Sequence, residues 1–332
     1  MKYTDNSLNI LTAKSFKGIG NGWIIKNLKG NESVETIVSL LNKTIKGDFI
    51  GTDKFEFIKN DFKLKLLQKL HDFCDGFVAL GDNNFPMYRG NVKESERPVF
   101  LFYKGNIDLL NRENKNVSVI GLLNPEGDIE ERERKIVAAF VKNGATIVSG
   151  LALGCDSISH QQALDSNGTT IAILPSPLSN ILPARNKGLA YKLAEEGGLL
   201  VTEYGTDFKN PMELSSRYKE RDRLQALFCD TIVLAASYAQ NSGERWKKTG
   251  QKLDSGARLA MGYAKEYNIP RVVMYDQDLD ENNPMFDLNR DLINDQRDIT
   301  IITKDKVAET VTRIMEKNQA MKITQVIQTK MF

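Results

Sequence analysis

The stretch ATIVSGLALGCDSISHQQAL, residues 145–164, sets the reading of the whole chain. An apolar run ends at Ser149 and Gly150, Gly154 follows four residues later, and helical spacing then begins with Asp156 or Ser157 as the cap. Glycine lets a backbone turn sharply and come close to a ligand. Free N–H groups at a helix start favour an anion, for which a phosphate is the obvious candidate. The plainer reading is a tight strand–helix turn closed by a capping aspartate. The spacing is neither GxGxxG nor GxxxxGK[ST], so no dinucleotide or P-loop reading follows.

Working outward, short apolar runs recur at 99–103, 117–121, 146–149, 170–174, 199–202, 231–235, 271–275 and 300–302. Amphipathic stretches lie between them at 129–142, 157–166, 184–196, 221–228 and 256–266. Strand runs with little internal alternation, joined through helices, predict an α/β fold with a doubly wound, mostly parallel sheet covered on both faces. In such sheets ligands sit beyond the carboxyl ends of the strands, so the loops just after the strands are where to look. Residues 1–75 carry apolar residues at helical spacing (Ile37, Leu40 and Leu41, then Leu64, Leu67 and Leu70) and predict a small helical N-terminal domain. The segment GDNNFPMYRGN, 81–91, reads as a linker or an ordered loop. The organisation expected is 1–75 helical, 76–303 α/β, and 304–332 a C-terminal helix, 306–317, with a short tail.

Composition narrows the function classes. The 332 residues are 41% apolar and 27% charged, which is globular. Lys+Arg 45 against Asp+Glu 43 leaves a formal charge of +2, so any nucleic-acid site must come from local clustering. No run approaches the ~18 apolar residues of a membrane span. The start, MKYTDNSLNI, lacks the apolar core of a secretory leader, so a cytoplasmic protein with no membrane association is expected. Cys74, Cys155 and Cys229 are odd in number and far apart, which argues against a disulfide framework or a thiolate zinc site. His71 and His160 are too few for a histidine-rich metal centre.

Three further segments could carry chemistry. SSRYKERDRLQAL, 215–227, places Arg217, Arg221 and Arg223 within seven positions. Arginine binds phosphate in planar, bidentate fashion. Tyr218 among them could stack on a base, or pack its ring on the surface. Glu220 and Asp222 interrupt the run, so a solvated, internally paired helix start is the alternative. ERWKKTGQKLDSGARLAMGYA, 244–264, surrounds Trp246 with Arg245, Lys247, Lys248 and Lys252, and Ser255–Gly256 opens a helix. A basic loop with an aromatic suits single-stranded nucleic acid, and a mobile loop with a half-buried Trp is the plainer reading. FKGIGNGWIIKNL, 16–28, reads as a helix–helix turn, or as a glycine turn whose N–H groups reach a DNA phosphate. Glu203, at a strand end, could bind a ribose hydroxyl or cap a loop; His160 and Cys155 read as packing residues beside the turn.

Taken in order, these segments resemble the DNA-processing protein A family, also called DprA or Smf. Asp82 with Phe85–Pro86, then Pro98 and LFYKGN (101–106), are similar to the family's entry segment. VSGLALGCDSISHQQAL is similar to its Ser-Gly-x-Ala-x-Gly-x-Asp turn. Pro183, Asn186 and Leu189 match a Pro-x-x-Asn-x-x-Leu step, and Gly198 with Thr202–Glu203–Tyr204 a Gly-x-x-x-Ser-Glu-Tyr step. Arg221-Asp222-Arg223 resembles Arg-Asn-Arg, and Ser255–Gly256 a later Ser-Gly turn.

The resemblance implies an extended Rossmann-like fold, often dimeric, that binds single-stranded DNA in a basic pocket and loads the RecA recombinase. It implies no enzyme activity, no cofactor and no metal. Carried over by residue, the phosphate-contacting turn would be Ser149, Gly150 and Gly154. The charged wall would be Arg221 and Arg223, with Ser255 and Gly256 opposite and Asp156 and His160 supporting the turn. Gly18-Ile19-Gly20 would fit the family's N-terminal helical domain, in the manner of a helix-hairpin-helix or SAM-like unit. The chain departs from the pattern in four places. Gly121-Leu122-Leu123 stands where the family has Gly-x-Arg, Asp222 replaces the expected Asn, residues 240–254 resemble an insertion whose lysines would replace the lost arginine, and the end after Ile302 leaves no room for a winged helix. These departures keep a second reading open, a sensor of small nucleotides in the same pocket. A third, a nucleotide phosphoribohydrolase, lacks its Pro-Gly-Gly-x-Gly-Thr turn.

Overall fold

The computed structural model describes residues 1–247, 256–295 and 298–330. In chain order the strands are β1 (Gly76–Ala79), β2 (Phe100–Gly105), β3 (Asn116–Ile120), β4 (Thr146–Ser149), β5 (Thr170–Ile173), β6 (Leu199–Thr202), β7 (Thr231–Leu234), β8 (Arg271–Met274) and β9 (Ile299–Ile302). Among the described residues they form one sheet in the order β1-β2-β6-β5-β4-β3-β7-β8-β9. From β6 to β9 every pair is parallel, and β1 and β2 run antiparallel at one edge. This is the α/β, mostly parallel, doubly wound sheet that the apolar runs predict.

The runs lack alternation because the inner strands are covered on both sides: β3 to β8 are buried at every position. Each fully buried Val, Ile or Leu contributes about 1.5–3 kcal/mol relative to exposure. The chain winds outward from β3 through β4, β5 and β6, then returns to place β7 on the other side of β3. The switch in winding direction therefore falls between β3 and β7, and their carboxyl ends open the crevice where such folds take ligands.

Helices Asp5–Lys14, Asn21–Asn27, Val34–Thr44 and Thr52–Asp61 make up the N-terminal region. Ile10, Leu41 and Phe55 of these helices join Phe77, Phe102 and Leu200 of the sheet in one apolar cluster, so the helices cover one face of the β1-β2-β6 end.

Three features differ from the sequence reading. Strand β1 was not expected; its GFVA run is short and follows a helical region, and pairing with β2 decides it. Of its two expected forms, linker or ordered loop, the 81–91 segment takes the second, pinned by buried Arg89. That guanidinium donates to Asp230 at 2.9 Å and to carbonyls of Leu110, Asn111, Asn114 and Phe228. The helix expected at 221–228 starts ten residues earlier, at Pro211, because the Asn210 side chain caps it by accepting the Glu213 N–H at 2.9 Å. The C-terminal helix likewise runs on, from Val307 to Lys330, where a short tail was expected. Among the described residues no helix is long and apolar enough to cross a membrane.

Candidate nucleic-acid interface

A cavity of about 540 Å³ opens at the β3/β7 switch point. Its floor is the end of β3 and the 150–154 turn, and its walls are the helix Pro211–Leu227 and the start of the helix Ala257–Glu266. The long helix presents Ser215, Tyr218, Arg221, Asp222 and Gln225 to it, the spacing of one helical face.

The turn is built from within. Gly154 holds φ +71°, and a Cβ there would meet the carbonyl oxygens of Leu122 and Leu123 at 2.3 and 2.4 Å. The Cys155 N–H donates to Leu122 O at 2.9 Å. Asp156, on the helix Cys155–Asp165, reaches back and accepts the N–H groups of Gly150 (3.1 Å) and Ala152 (3.2 Å). Asn186 donates to the carbonyls of Leu151 and Ala152 at 2.8 and 3.1 Å. Ser149 donates to Val119 O at 2.7 Å and is fully buried. Neither Asp156 nor Ser157 caps the helix, whose N-cap is Gly154 with no side-chain cap bond; Asp156 closes the turn before it instead, so N–H groups that a phosphate could have used are held by a carboxylate of the chain itself.

Arg221 lies so close to Gly150 that a Cβ there would overlap its Nη1 at 1.4 Å. The Gln225 amide, set with its oxygen toward the donors, accepts from Gly150 N–H at 2.8 Å and from Arg221. Arg221 stands 3.8 Å from Asp156 and 3.6 Å from Asp222, with its guanidinium 5.7 Å from the Tyr218 ring centre. Burial raises the Asp156 carboxyl, against the pull of Arg221 and the turn N–H groups. Burial likewise pushes Asp222 up to about 7, opposed by Arg221. His160 is fully buried, its Nδ1 2.6 Å from the Thr170 hydroxyl, and burial and then Arg221 lower it to about 3, so it is neutral. Beside it Glu133, bonded by the Ser159 hydroxyl at 2.7 Å, is pushed by burial up to about 8, and burial holds the Cys155 thiol well above its ordinary value.

The sequence-predicted site residues therefore divide. Ser149, Gly150, Gly154, Asp156, Asn186, Arg221 and Gly256 meet at or beneath the cavity. Arg223 points away from it, bidentate to Glu203 at 2.7 and 2.8 Å and bonded to the carbonyls of Glu96 and Glu220. Glu203 is thereby engaged by Arg223 rather than open to a ligand. Arg217 donates to Thr206 O, Asp207 O and Glu213, and lies 4.3 Å over Tyr204. Lys247 is exposed; Lys248, Lys252 and Ser255 lie outside the described residues. Trp246 is tethered, its indole N–H donating to Asp287 at 2.9 Å. Tyr218, a ring read as able to stack on a base, and Leu123, at the place of the absent arginine, line the cavity; Gln225 was not singled out and follows from helical spacing once the helix is known to start at Pro211. Among the described residues no group of three or more His, Cys, Asp or Glu could hold a metal ion.

Fold and cavity together define an α/β doubly wound protein with a ligand crevice at its switch point. The model of the DNA recombination-mediator protein A family matches residues 76–245, and the chain belongs to that family. It is 30% identical over 226 residues to protein Smf of Borreliella burgdorferi, covering 63% of this chain and 68% of that one. It is 28% identical over 222 residues to the DNA processing protein DprA of Streptococcus pneumoniae, covering 66% and 74%. A match to protein Smf of Synechocystis sp. is 32% identical and spans 58% of this chain but only 44% of that relative's length. The X-ray structure of the Streptococcus pneumoniae protein superposes with TM-score 0.66 at 22% identity, over 94% and 98% of the chains. A structure described for the single-stranded DNA binding mode of DNA processing protein A from Helicobacter pylori superposes with TM-score 0.55 at 23% identity, over 73% and 96%.

Proposed function

We propose that the chain binds single-stranded DNA at the β3/β7 crevice and passes the bound strand to a RecA-type recombinase. The observation that carries this reading is the cavity itself: Arg221 and Tyr218 stand over the carboxyl ends of the strands in a member of a recombination-mediator family. Arg221 would supply the charge and donors, and Tyr218 a ring face for a base. Lys247, with Lys248 and Lys252 beyond the described residues, would track phosphates outside the cavity. The single-strand binding described for the Helicobacter pylori relative supports the same ligand. The edge strand β9, parallel to β8 and open on its other side among the described residues, supports a homodimer joined there. The reading assigns no catalytic step to the cavity.

Fluorescence anisotropy with a labelled ~20-nucleotide single strand and its duplex, across a salt series, tests the binding. Single-strand preference with a steep salt dependence is the expected result. Equal affinity for duplex and single strand would refute the assignment. Recombinase filament assembly on coated single strands, with and without the protein, tests delivery; no acceleration would remove that part.

A further inference from the structure

We propose that Trp246 is a stacking platform for an unpaired nucleobase, outside the β3/β7 crevice and on the 240–254 segment that interrupts the family pattern. This rests on the single-strand reading and deepens it, because it gives the strand a second point of contact.

The segment opens with a short helix, Ser242–Arg245, past the carboxyl end of β7. That helix is pinned to the helix Asp287–Asp295. Asp287, only 2% exposed, accepts the Ser242 hydroxyl and the Arg290 guanidinium, and takes the Trp246 indole N–H at 2.9 Å. Arg245 is bidentate to Asp291 at 2.8 Å on both nitrogens. Two carboxylates of a neighbouring helix thus fix the Trp246 end of the segment.

The indole is held with its polar edge inward. A tryptophan at a surface ordinarily buries its ring and leaves its N–H wet. Here the N–H is spent on a buried carboxylate, yet the residue is 36% exposed, so ring carbon faces the solvent. A ring already fixed in orientation loses little freedom when a base lies on it.

The described charges favour a base over a phosphate at this ring. Arg245 is engaged by Asp291, and exposed Lys247, next in the chain, is offset by exposed Glu244. Lys247 can meet an adjoining phosphate, but stacking has to carry the contact at Trp246, and it tolerates any base because every base has a π-face.

The platform lies at the crevice end of the sheet. The segment leaves the carboxyl end of β7 and leads into the helix Ala257–Glu266, whose first residues wall the crevice. Tyr238, between β7 and the short helix, is half-buried. Its hydroxyl is pushed up by burial, then by the charges of Glu126, at the start of the helix after β3, and of Asp287. A strand leaving the crevice across β7 would meet Trp246.

Trp23 and Trp246 are the two tryptophans of the sequence, so Trp23→Phe leaves Trp246 as the indole reporter. Its fluorescence is titrated with a ~20-nucleotide dT strand and with an abasic strand of the same length, and anisotropy of the labelled strands is read in parallel. The dT strand is expected to quench Trp246 and the abasic strand is not. Trp246→Ala, checked for folding by circular dichroism, should bind the dT strand about tenfold more weakly at every salt concentration, with an unchanged salt slope, and the abasic strand as wild type does. Trp246→Phe, which keeps a ring, should recover most of the loss. Strand binding without quenching, quenching by both strands alike, or an equal loss on both strands in Trp246→Ala would overturn the platform and leave single-strand binding standing. Should Trp246→Ala fail to fold, the quenching comparison decides. If no strand binds, both readings fall.

Discussion

The Asp156 carboxylate accepts the N–H of Gly150, six residues before it, at 3.1 Å, so the turn carries its own anion. Asp156 is also one of two carboxylates beside the Arg221 guanidinium, at 3.8 Å through Oδ2, with Asp222 at 3.6 Å. Removing it strands the Ala152 N–H and takes one of two carboxylates from a buried guanidinium, while Gln225 still accepts the Gly150 N–H. Asp156→Ala is expected to lower the unfolding free energy by about 3 kcal/mol, and Asp156→Asn, which keeps one acceptor, by about half as much. Urea denaturation measures both. Equal stability of Asp156→Ala and wild type would show that the carboxylate does not hold the turn.

The turn also depends on a backbone conformation. Gly154→Ala would place a Cβ 2.3 Å from Leu122 O at φ +71°. Since the clashing atoms are backbone, the 121–123 segment must move. A loss of about 3 kcal/mol or more is expected, read as a lowered urea midpoint or as insoluble protein. Gly127→Ala, where a Cβ meets nothing within 4 Å, is the matched control and should stay within about 1 kcal/mol of wild type.

Stability should fall as pH rises through neutrality. Burial pushes Glu133 up to about 8 and Asp222 up to about 7, both from ordinary carboxylate values. Between pH ~4.5 and 8 the folded chain therefore holds protons that the unfolded chain has released, so folding weakens across that window. Each group contributes up to about 1.4 kcal/mol per pH unit to the slope. Glu133→Gln should flatten the difference in urea midpoint between pH 5 and pH 8. An unchanged slope would place the Glu133 proton elsewhere.

Arg223 and Arg221 sit two positions apart and are expected to separate cleanly by assay. Arg223 is bidentate to Glu203 and under a tenth exposed. Arg223→Ala should cost about 3–5 kcal/mol of stability by leaving Glu203 buried and unpaired. Its folded fraction should bind strands within about twofold of wild type. A variant of normal stability with lost binding would return Arg223 to the site.

Much of this was legible in sequence, for identifiable reasons. The parallel strands announced themselves as unbroken Val/Ile/Leu runs because both faces of β3 to β8 are covered. The 150–154 turn was legible because Gly150, Gly154 and Asp156 fall within one stretch of seven residues. β1 was not, since four residues fixed by pairing with β2 and a bridge to Lys2 carry no pattern of their own. The arginine cluster was read as one wall because charge was counted without a helix phase. Once Asn210 is seen to start the helix, Tyr218, Arg221, Asp222 and Gln225 fall on the cavity face. The pairing of Arg223 with Glu203, twenty residues away, depends on tertiary placement that no local spacing encodes.

The most direct test of the crevice as the strand site is the salt dependence of single-strand binding in wild type and Arg221→Ala. Anisotropy of one ~20-nucleotide strand is measured from low to moderate salt, with Arg223→Ala as the structural control. The expected result is weaker binding by Arg221→Ala at every salt concentration, by about tenfold, with Arg223→Ala close to wild type. Superimposable curves for wild type and Arg221→Ala would contradict the assignment and move the strand off the β3/β7 crevice.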